Sequence, residues 1–196
     1  DTQDAMGANM LNTILEGIAA FLSQELPDRE ILMSILSNHA TASVVSVTGE
    51  IDVADLTKGD KDGEAVAARM ARASDLAQVD IHRAATHNKG VMNGIHAVVL
   101  ATGNDTRGTE ASAHAYASKD GHYKGLATWH YDSERQRLIG TIEVPMTLAT
   151  VGGGTKVLPM AKAALELMHV ETAKELGEVV AAVGLAQNFA ACRALV

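Results

Sequence analysis

The sequence predicts an α+β fold in which amphipathic helices pack against a small antiparallel sheet. Apolar residues recur with a 3.6-residue period over 10–22 and again over about 64–86, which is typical of helices with one buried face. The clearest strand pair, 126–131 with 138–144, is joined by the short polar loop 132–136, as in a β-hairpin. Because helices and strands do not alternate regularly, α+β is favoured over a doubly wound parallel sheet.

The other elements are predicted from breakers and from apolar runs. The segment 26–28, which contains Pro27, ends the first helix. In chain order, the remaining predictions are strands at 31–36 and 43–47, an exposed polar connection at 48–63, helices at 91–100 and 110–118, a glycine interruption at 152–154, and helices from Pro159 to His169 and from Glu171 to Leu195, the last one loosened near Gly184.

The composition argues against several classes of protein. A net charge of −8 disfavours binding to nucleic acid or to an anionic membrane, since both need a basic surface. The one cysteine, Cys192, excludes an internal disulfide framework, is typical of a reducing compartment and is predicted to be a small buried side chain with no base nearby. No apolar run reaches the roughly 20 residues that span a bilayer and no secretory signal pattern is seen, so a cytoplasmic protein is predicted. The histidines show no HExxH spacing, and no metal site is predicted.

The strongest indication of a functional site lies in the segments HNKGVMNG (87–94) and ATGNDTR (101–107). They place Lys89 and Asp105 in Gly- and Asn-containing breaks at the two ends of the apolar run 91–100, so both are predicted to lie just outside that helix. Charged residues in such breaks often belong to binding or catalytic sites. The structural alternative is a surface lysine near a helix start and an aspartate in a turn.

Two further segments carry a functional and a structural interpretation each. In DAMGAN (4–9), Asp4 is predicted to cap the first helix, and Gly7 would let a phosphate or ribose approach the backbone N–H groups. By itself this pattern is more often an ordinary helix start. The triplet 152–154 could contact a ligand phosphate through its backbone, and a flexible turn is an equal alternative.

Five motifs together closely resemble class II 3-hydroxy-3-methylglutaryl-CoA (HMG-CoA) reductase. They are DAMGANMLNTILEG (4–17), SILSNHA (34–40), HNKGVMNG, ATGNDTR and GLAQNFAA (184–191), in the family's order. The resemblance implies an oxidoreductase that interconverts HMG-CoA and mevalonate plus coenzyme A with two equivalents of NADH or NADPH. It also implies a homodimer whose active sites form between subunits. Family members are about twice this length, so this chain is expected to be partial, to lack the early catalytic glutamate and the late catalytic histidine, and to be inactive in isolation.

The resemblance implies a role for each matching residue. Lys89 would stabilise the oxyanion formed when the thioester is reduced, and Asp105 would keep Lys89 charged and oriented. Arg83 and Asn93 would position the acyl group. The structural alternative for Arg83 is that it is only a solvated charge. The remaining implied contacts are substrate contacts by Gln187 and Asn188, with Asn188 the stronger of the two, and cofactor contacts by Asp4, Met6, Gly7, Ala8, Asn9 and Asn38, the last of which could instead form an Asx-turn.

The resemblance also divides the chain into two parts. Residues 1–37 would be the C-terminal part of a small, ferredoxin-like nicotinamide-cofactor domain, and residues 38–196 the core of the large substrate-binding and dimerisation domain. Two alternatives from other classes stay open: a non-catalytic paralogue that binds CoA esters or nucleotides, and a scaffold or dimerisation fragment. Joint retention of Lys89, Asn93 and Asp105 argues against both, because neither needs a buried lysine–aspartate pair.

Overall fold

The fold is a three-stranded antiparallel sheet with helices packed on one face, which agrees with the predicted α+β class. A computed structural model describes residues 2–57, 59 and 62–196. The strands are β1 (Val44–Asp52), β2 (Ala127–Asp132) and β3 (Arg137–Pro145), in the spatial order β1-β3-β2. Ile142 of β3 pairs with Val47 of β1 and with Ala127 of β2. The predicted β2–β3 hairpin is confirmed.

Helix α4 lies at the centre of the helical layer, where it contacts α3, α5 and α8, while α3 and α8 contact the sheet. The core between these elements includes Val91 and Ile95 of α4 with Leu138 and Ile142 of β3. In the described ranges, no helix combines the length and the apolar character needed to cross a bilayer. The helices are α1 (Ala8–Glu25), α2 (Val53–Leu56), α3 (Gly63–Val79), α4 (Ile81–Ala101), α5 (Thr106–Ala117), α6 (Gly153–Val157), α7 (Pro159–Met168) and α8 (Ala173–Leu195).

The two short strands predicted near the N-terminal helix are corrected by the structure. Residues 31–36 form no strand: the Leu36 N–H donates to Asn12 Oδ1 on α1 at 3.0 Å instead of to a neighbouring strand. The second strand begins as predicted but continues to Asp52, into the segment predicted as a connection. Thr48 there pairs with Thr141 on the open face of the sheet, with hydroxyl oxygens 3.2 Å apart. The polar side chains of this continued part of the strand therefore lie on a solvent-facing surface of the sheet.

Helix boundaries around the candidate site also differ from the prediction. The predicted helix 64–86 breaks at Asp80, whose carboxylate accepts hydrogen bonds from the N–H groups of His82 and Arg83 at 3.2 and 3.3 Å. The helix that starts there runs through the whole HNKGVMNG segment, so the prediction that Lys89 lies outside a helix is wrong. Helix α8 is likewise continuous through Gly184.

Candidate functional site

Helices α4 and α8 pack closely because glycines stand at their contact. A Cβ atom built on Gly94 would lie 2.7 Å from the carbonyl oxygen of Val183, and one built on Gly184 would lie 2.9 Å from Ile95 Cγ1. At these positions only a residue without a Cβ atom permits the observed approach of the two helices. Gly90 lies one turn before Gly94 on the same side of α4, where a Cβ atom would make an ordinary contact with Ala191 at 3.6 Å.

This packing places three predicted site residues on the exposed surface beside the contact between α4 and α8. Lys89 and Asn93 are four residues apart on α4, so their side chains share a face of the helix. Gln187 of α8 borders the same contact, since its Cβ would lie 3.0 Å from a Cβ on Gly94. All three side chains are exposed. We call this surface, defined by Lys89, Asn93 and Gln187, the α4–α8 surface.

A layer of buried polar side chains beneath the α4–α8 surface joins α4 to α8 and to the sheet. Asn188 is fully buried; its Oδ1 accepts from Trp129 Nε1 at 2.8 Å, and its Nδ2 donates to the His87 carbonyl at 3.3 Å. The Asn188 amide is therefore used inside the protein. Gln187 is the exposed member of the pair, and the substrate contacts expected of both residues stay predictions.

His87 and Cys192 complete this buried layer. Burial lowers the pKa of His87 to about 4, so its ring is neutral at neutral pH. His87 Nε2 donates to the Ala127 carbonyl at 2.9 Å, which leaves Nδ1 unprotonated and 3.9 Å from the Cys192 sulfur. Burial raises the pKa of the Cys192 thiol, and the charge of Arg83 opposes this effect. Cys192 is buried as predicted, but a histidine ring lies beside it.

Arg83 lies at the edge of the buried layer and is half-buried. Its Nε atom is buried and has no hydrogen-bond partner in the protein. A buried donor without an acceptor costs about 1–3 kcal/mol, so an acceptor supplied by a ligand would stabilise this arrangement. This observation favours the interpretation of Arg83 as a binding residue over that of a solvated surface charge.

A second candidate site surrounds the N-terminus of α1. It is a cleft of about 420 Å³ whose lining includes the predicted cofactor residues Met6, Gly7, Ala8 and Asn9, and also Asp105. The glycine-rich turn 152–154 forms another part of the wall. The structure therefore brings Asp105 together with the DAMGAN motif.

The start of α1 differs from the predicted cap. Gly7 is the N-cap residue, with φ of 80°, and no side chain caps the helix. The prediction that Asp4 caps α1 is wrong, because its carboxylate accepts the Ala173 N–H at 2.8 Å at the start of α8. The Asp4 carbonyl also accepts the Thr150 N–H at 3.0 Å, which holds the segment before the glycine turn. The N–H groups of the first turn of α1 are thus available at the positive end of the helix dipole.

The loop after α4 supplies the opposite side of the cleft. Asp105 caps α5: its Oδ1 accepts the N–H groups of Arg107 and Gly108 at 3.1 and 3.0 Å. Asn38 lies beside this cap, since its Oδ1 would be 3.3 Å from a Cβ on Gly108. Asn104, which was not singled out from the sequence, accepts from the Ala149 N–H at 2.8 Å and donates to its carbonyl at 3.1 Å. The position of Asn104 directly after Gly103, at a helix end, was the sequence signal that could have identified it.

The structure does not bring Lys89 and Asp105 together within one chain. The Asn104 N–H donates to the Val99 carbonyl, which fixes the loop at the C-terminal end of α4. Lys89 precedes Val99 by ten residues, or about 15 Å along the helix axis. Both charged residues are exposed, so the expected buried lysine–aspartate pair is absent from the described part of this chain. The described part of the chain also contains no group of three or more His, Cys, Asp or Glu side chains that could hold a metal ion.

Comparison with known proteins gives a consistent result along the entire chain. The family description that matches residues 1–196 is hydroxymethylglutaryl-coenzyme A reductase. The 3-hydroxy-3-methylglutaryl-coenzyme A reductase of Archaeoglobus fulgidus is 46% identical over 195 residues, which is 100% of this chain and 43% of that protein. The chain thus spans less than half the length of this curated relative.

Solved structures show the same relationship. The 3-hydroxy-3-methylglutaryl-coenzyme A reductase from Streptococcus pneumoniae is 48% identical, with a TM-score of 0.93, and the match covers 100% of this chain and 46% of that one. A structure described as the class II enzyme of that organism bound to NADPH in open conformations has the same identity and TM-score, with 47% of its chain covered. The close structural match extends over the whole described fold.

Proposed function

Because this chain belongs to the class II HMG-CoA reductase family, we propose that the full-length protein interconverts HMG-CoA and mevalonate plus coenzyme A with two equivalents of NADH or NADPH. The observation that carries this proposal is the family match over all 196 residues. The α4–α8 surface and the cleft, each formed in part by residues that the motifs select, support it. Under this proposal residues 1–37 belong to the cofactor domain and residues 38–196 to the large substrate domain.

The α4–α8 surface would bind the acyl part of the substrate. The Lys89 ammonium group would face the thioester carbonyl and stabilise the negative charge that develops on its oxygen. Asn93 and Gln187 would orient the acyl group through their amides. Arg83 precedes Lys89 by six residues, about 9 Å along α4, and would pair its unsatisfied Nε with the terminal carboxylate.

The cleft at the start of α1 has the chemistry that a nicotinamide cofactor needs. Backbone N–H groups at the positive end of α1 and the open glycine turn 152–154 suit an anionic or amide-bearing ligand. NADH or NADPH bound there would supply the hydride. Met6, Ala8, Asn9 and Asn38 would shape this site, while Asp4 would hold its wall against α8.

Lys89 and Asp105 would pair across a homodimer. Lys89 lies about 15 Å along α4 from Val99, which anchors the loop of Asp105, and a lysine side chain does not bridge this distance, so the pair would be made with the Asp105 of a second copy. Such a pair would keep Lys89 charged and oriented, as the family resemblance implies.

Complementation in the full-length protein tests both the activity and this pairing. HMG-CoA-dependent oxidation of NAD(P)H should be lost in Lys89→Ala and in Asp105→Asn, in which the amide oxygen can still cap α5. Lys162→Ala is the matched control, since this exposed lysine pairs with Glu166 on α7. If the pair forms between subunits, random dimers of the two inactive variants should recover about a quarter of wild-type activity, because about half are mixed and each mixed dimer has one intact site.

Each outcome of this experiment has a definite meaning. Absence of HMG-CoA-dependent oxidation in the wild type would overturn the proposed activity, and retained coenzyme A binding would then favour a non-catalytic paralogue. Full activity of Lys89→Ala would remove its catalytic role. If control variants at other residues are active but the mixed dimers recover no activity, the pair lies within one chain. That result would contradict the subunit arrangement.

A further inference from the structure

Asp105 has a free carboxylate oxygen whose direction depends on the loop that carries it. Its Oδ1 accepts the N–H groups of Arg107 and Gly108, whereas Oδ2 accepts no hydrogen bond within the described part of the chain. Because the side chain is exposed, surrounding packing does little to fix its orientation. The backbone of the loop 102–105 therefore decides where Oδ2 lies, and any group that binds this oxygen depends on how firmly the loop is held.

The Asn104 side chain holds this loop through both ends of its amide. Oδ1 accepts the Ala149 N–H at 2.8 Å and Nδ2 donates to the Ala149 carbonyl at 3.1 Å, so the amide pairs with one backbone residue as a neighbouring strand would. Nδ2 also donates to Thr102 Oγ1 at 3.0 Å. Thr102 is buried and its hydroxyl donates to the Val98 carbonyl at 2.9 Å, so these bonds are anchored in the last turn of α4.

The backbone on the far side of the Asn104 amide belongs to the cofactor cleft. Ala149 is followed by Thr150 and Val151, whose N–H groups both donate to the Asp4 carbonyl, at 3.0 and 3.3 Å. The segment 149–151 therefore connects the loop after α4 with the start of the DAMGAN motif. A change at the Asn104 amide would release the loop from this segment.

We propose that Asn104 is the positioning residue for Asp105, and that its amide keeps the free carboxylate oxygen in the place where Lys89 of a second copy would meet it. A loop that is already fixed loses less conformational entropy when an ion pair forms, so the pair forms more readily. This inference rests on the proposed function for the reaction that Asp105 serves, but the restraint of the loop is a property of the free protein.

The first measurement follows the restraint directly and needs no substrate. Hydrogen–deuterium exchange of the full-length protein, resolved to single residues by fragmentation in the mass spectrometer, should be slow at the Ala149 amide and at the Gly108 amide that Asp105 caps. In Asn104→Ala both should exchange at least about tenfold faster, the first because it loses its acceptor and the second because the cap loosens with the loop. Unchanged exchange at Gly108 would overturn the proposal.

Two further variants keep this measurement decisive. Gln78→Ala is the matched control, because its amide also holds loop backbone, donating to the Gly125 carbonyl at 3.3 Å, and its loss should leave both exchange rates unchanged. Thr102→Val removes one acceptor of the Asn104 amide at nearly constant volume and should accelerate both by about 2- to 5-fold, the effect of one hydrogen bond. If Asn104→Ala does not fold, unchanged rates in Thr102→Val would overturn the proposal.

The second measurement separates positioning from a general structural role. Asn104→Ala should lower kcat at least about tenfold and change the KM for HMG-CoA less than about threefold, because the proposed acyl-binding residues of α4 and α8 are untouched. Gln78→Ala should leave kcat unchanged. A normal kcat in Asn104→Ala would overturn the positioning role.

Mixed dimers then show which catalytic group the variant disables. With Lys89→Ala as its partner, Asn104→Ala should recover about a quarter of wild-type activity, because one site of each mixed dimer combines an intact lysine with an intact Asp105 loop. With Asp105→Asn it should show no more than its own residual activity, because both variants affect the same loop. Recovery with both partners would reject the positioning role. So would recovery with neither, if Lys89→Ala and Asp105→Asn complement each other.

These results distinguish failure of the inference from failure of the proposed function. Faster exchange at Gly108 in Asn104→Ala, together with a wild type that does not turn over HMG-CoA, would keep the positioning role and reject the substrate. Unchanged exchange at Gly108, together with an active wild type, would reject the positioning role and leave the proposed activity in place.

Discussion

Replacement of Gly94 by alanine tests whether the separation of α4 and α8 is set by the absence of a Cβ atom. The new Cβ would lie 2.7 Å from the Val183 carbonyl oxygen, whereas ordinary contacts begin at 3.4 Å. The obstacle is backbone, so α8 must shift by about 0.7 Å at this point. Gly90→Ala is the matched control on the same helix, since its Cβ would meet only the Ala191 Cβ, at 3.6 Å.

The magnitude follows from two opposing contributions to the free energy of unfolding. Alanine is favoured over glycine in a helix interior by about 1 kcal/mol, which applies to both variants. Overpacking costs about 1–3 kcal/mol and applies only to Gly94→Ala. Gly94→Ala should therefore be less stable than Gly90→Ala by about 1–3 kcal/mol. At about 2–4 °C per kcal/mol, the difference in Tm should be at least about 2 °C.

Thermal unfolding of the full-length variants, followed by circular dichroism at one protein concentration, measures this difference, because Tm depends on concentration when subunits associate. Gly94→Ala should also raise the KM for HMG-CoA, since the same shift moves Gln187, whose Cβ lies 3.0 Å from the new atom. Equal Tm values for the two variants, or a higher value for Gly94→Ala, would show that steric contact at Gly94 does not set the helix separation.

Two further predictions concern the buried histidine and the start of α1. The folded pKa of His87, about 4, lies below its unfolded value of 6.5, so its contribution to the free energy of unfolding is fully present above pH 6.5. About 2–3 kcal/mol of this free energy is lost as the pH falls to 4. His87→Gln should reduce the fall of Tm between these pH values, and an unchanged slope would contradict the assignment. Gly7→Ala places a Cβ at φ of 80°, a strain of about 1–2 kcal/mol, and should raise the KM for NAD(P)H more than that for HMG-CoA. Gly17→Ala, with open space around its Cβ, should leave both KM values unchanged.

The elements predicted correctly are those whose structure is determined by residues close together in the sequence. The β2–β3 hairpin follows from two apolar runs around a polar loop, and Pro159 begins α7 because its fixed φ and missing N–H suit the first turn. Asp105 lies outside a helix as predicted, because an aspartate before a helix caps its free N–H groups. In each case the residues that decide the structure are neighbours in the chain.

Most of the wrong predictions arise where contacts between residues distant in the sequence determine the local structure. The run 31–36 has strand composition, but its Leu36 N–H bonds to a side chain of α1 and no strand pairs with it. Asp80 is a local exception: it looks like one more polar residue in a long helical period, yet its carboxylate caps a new helix two residues before His82. Gly94 looks like a helix breaker, but it lies inside α4, where its missing side chain leaves the space that the Val183 carbonyl of α8 occupies.

Lys89 and Asp105 show why residue identity and spatial pairing are separate problems. The two motifs select a lysine and an aspartate whose chemistry is complementary, and their closeness in sequence suggests one local pair. A continuous α4 separates the two residues within the chain, because each helical residue from Lys89 to Val99 adds about 1.5 Å along the axis and the loop of Asp105 is anchored at Val99. Both side chains are exposed, and Asp105, in the loop after α4, lies in the cleft of the DAMGAN motif. If the two residues act together, the contact must come from a second subunit, and the mixed-dimer experiment decides this directly.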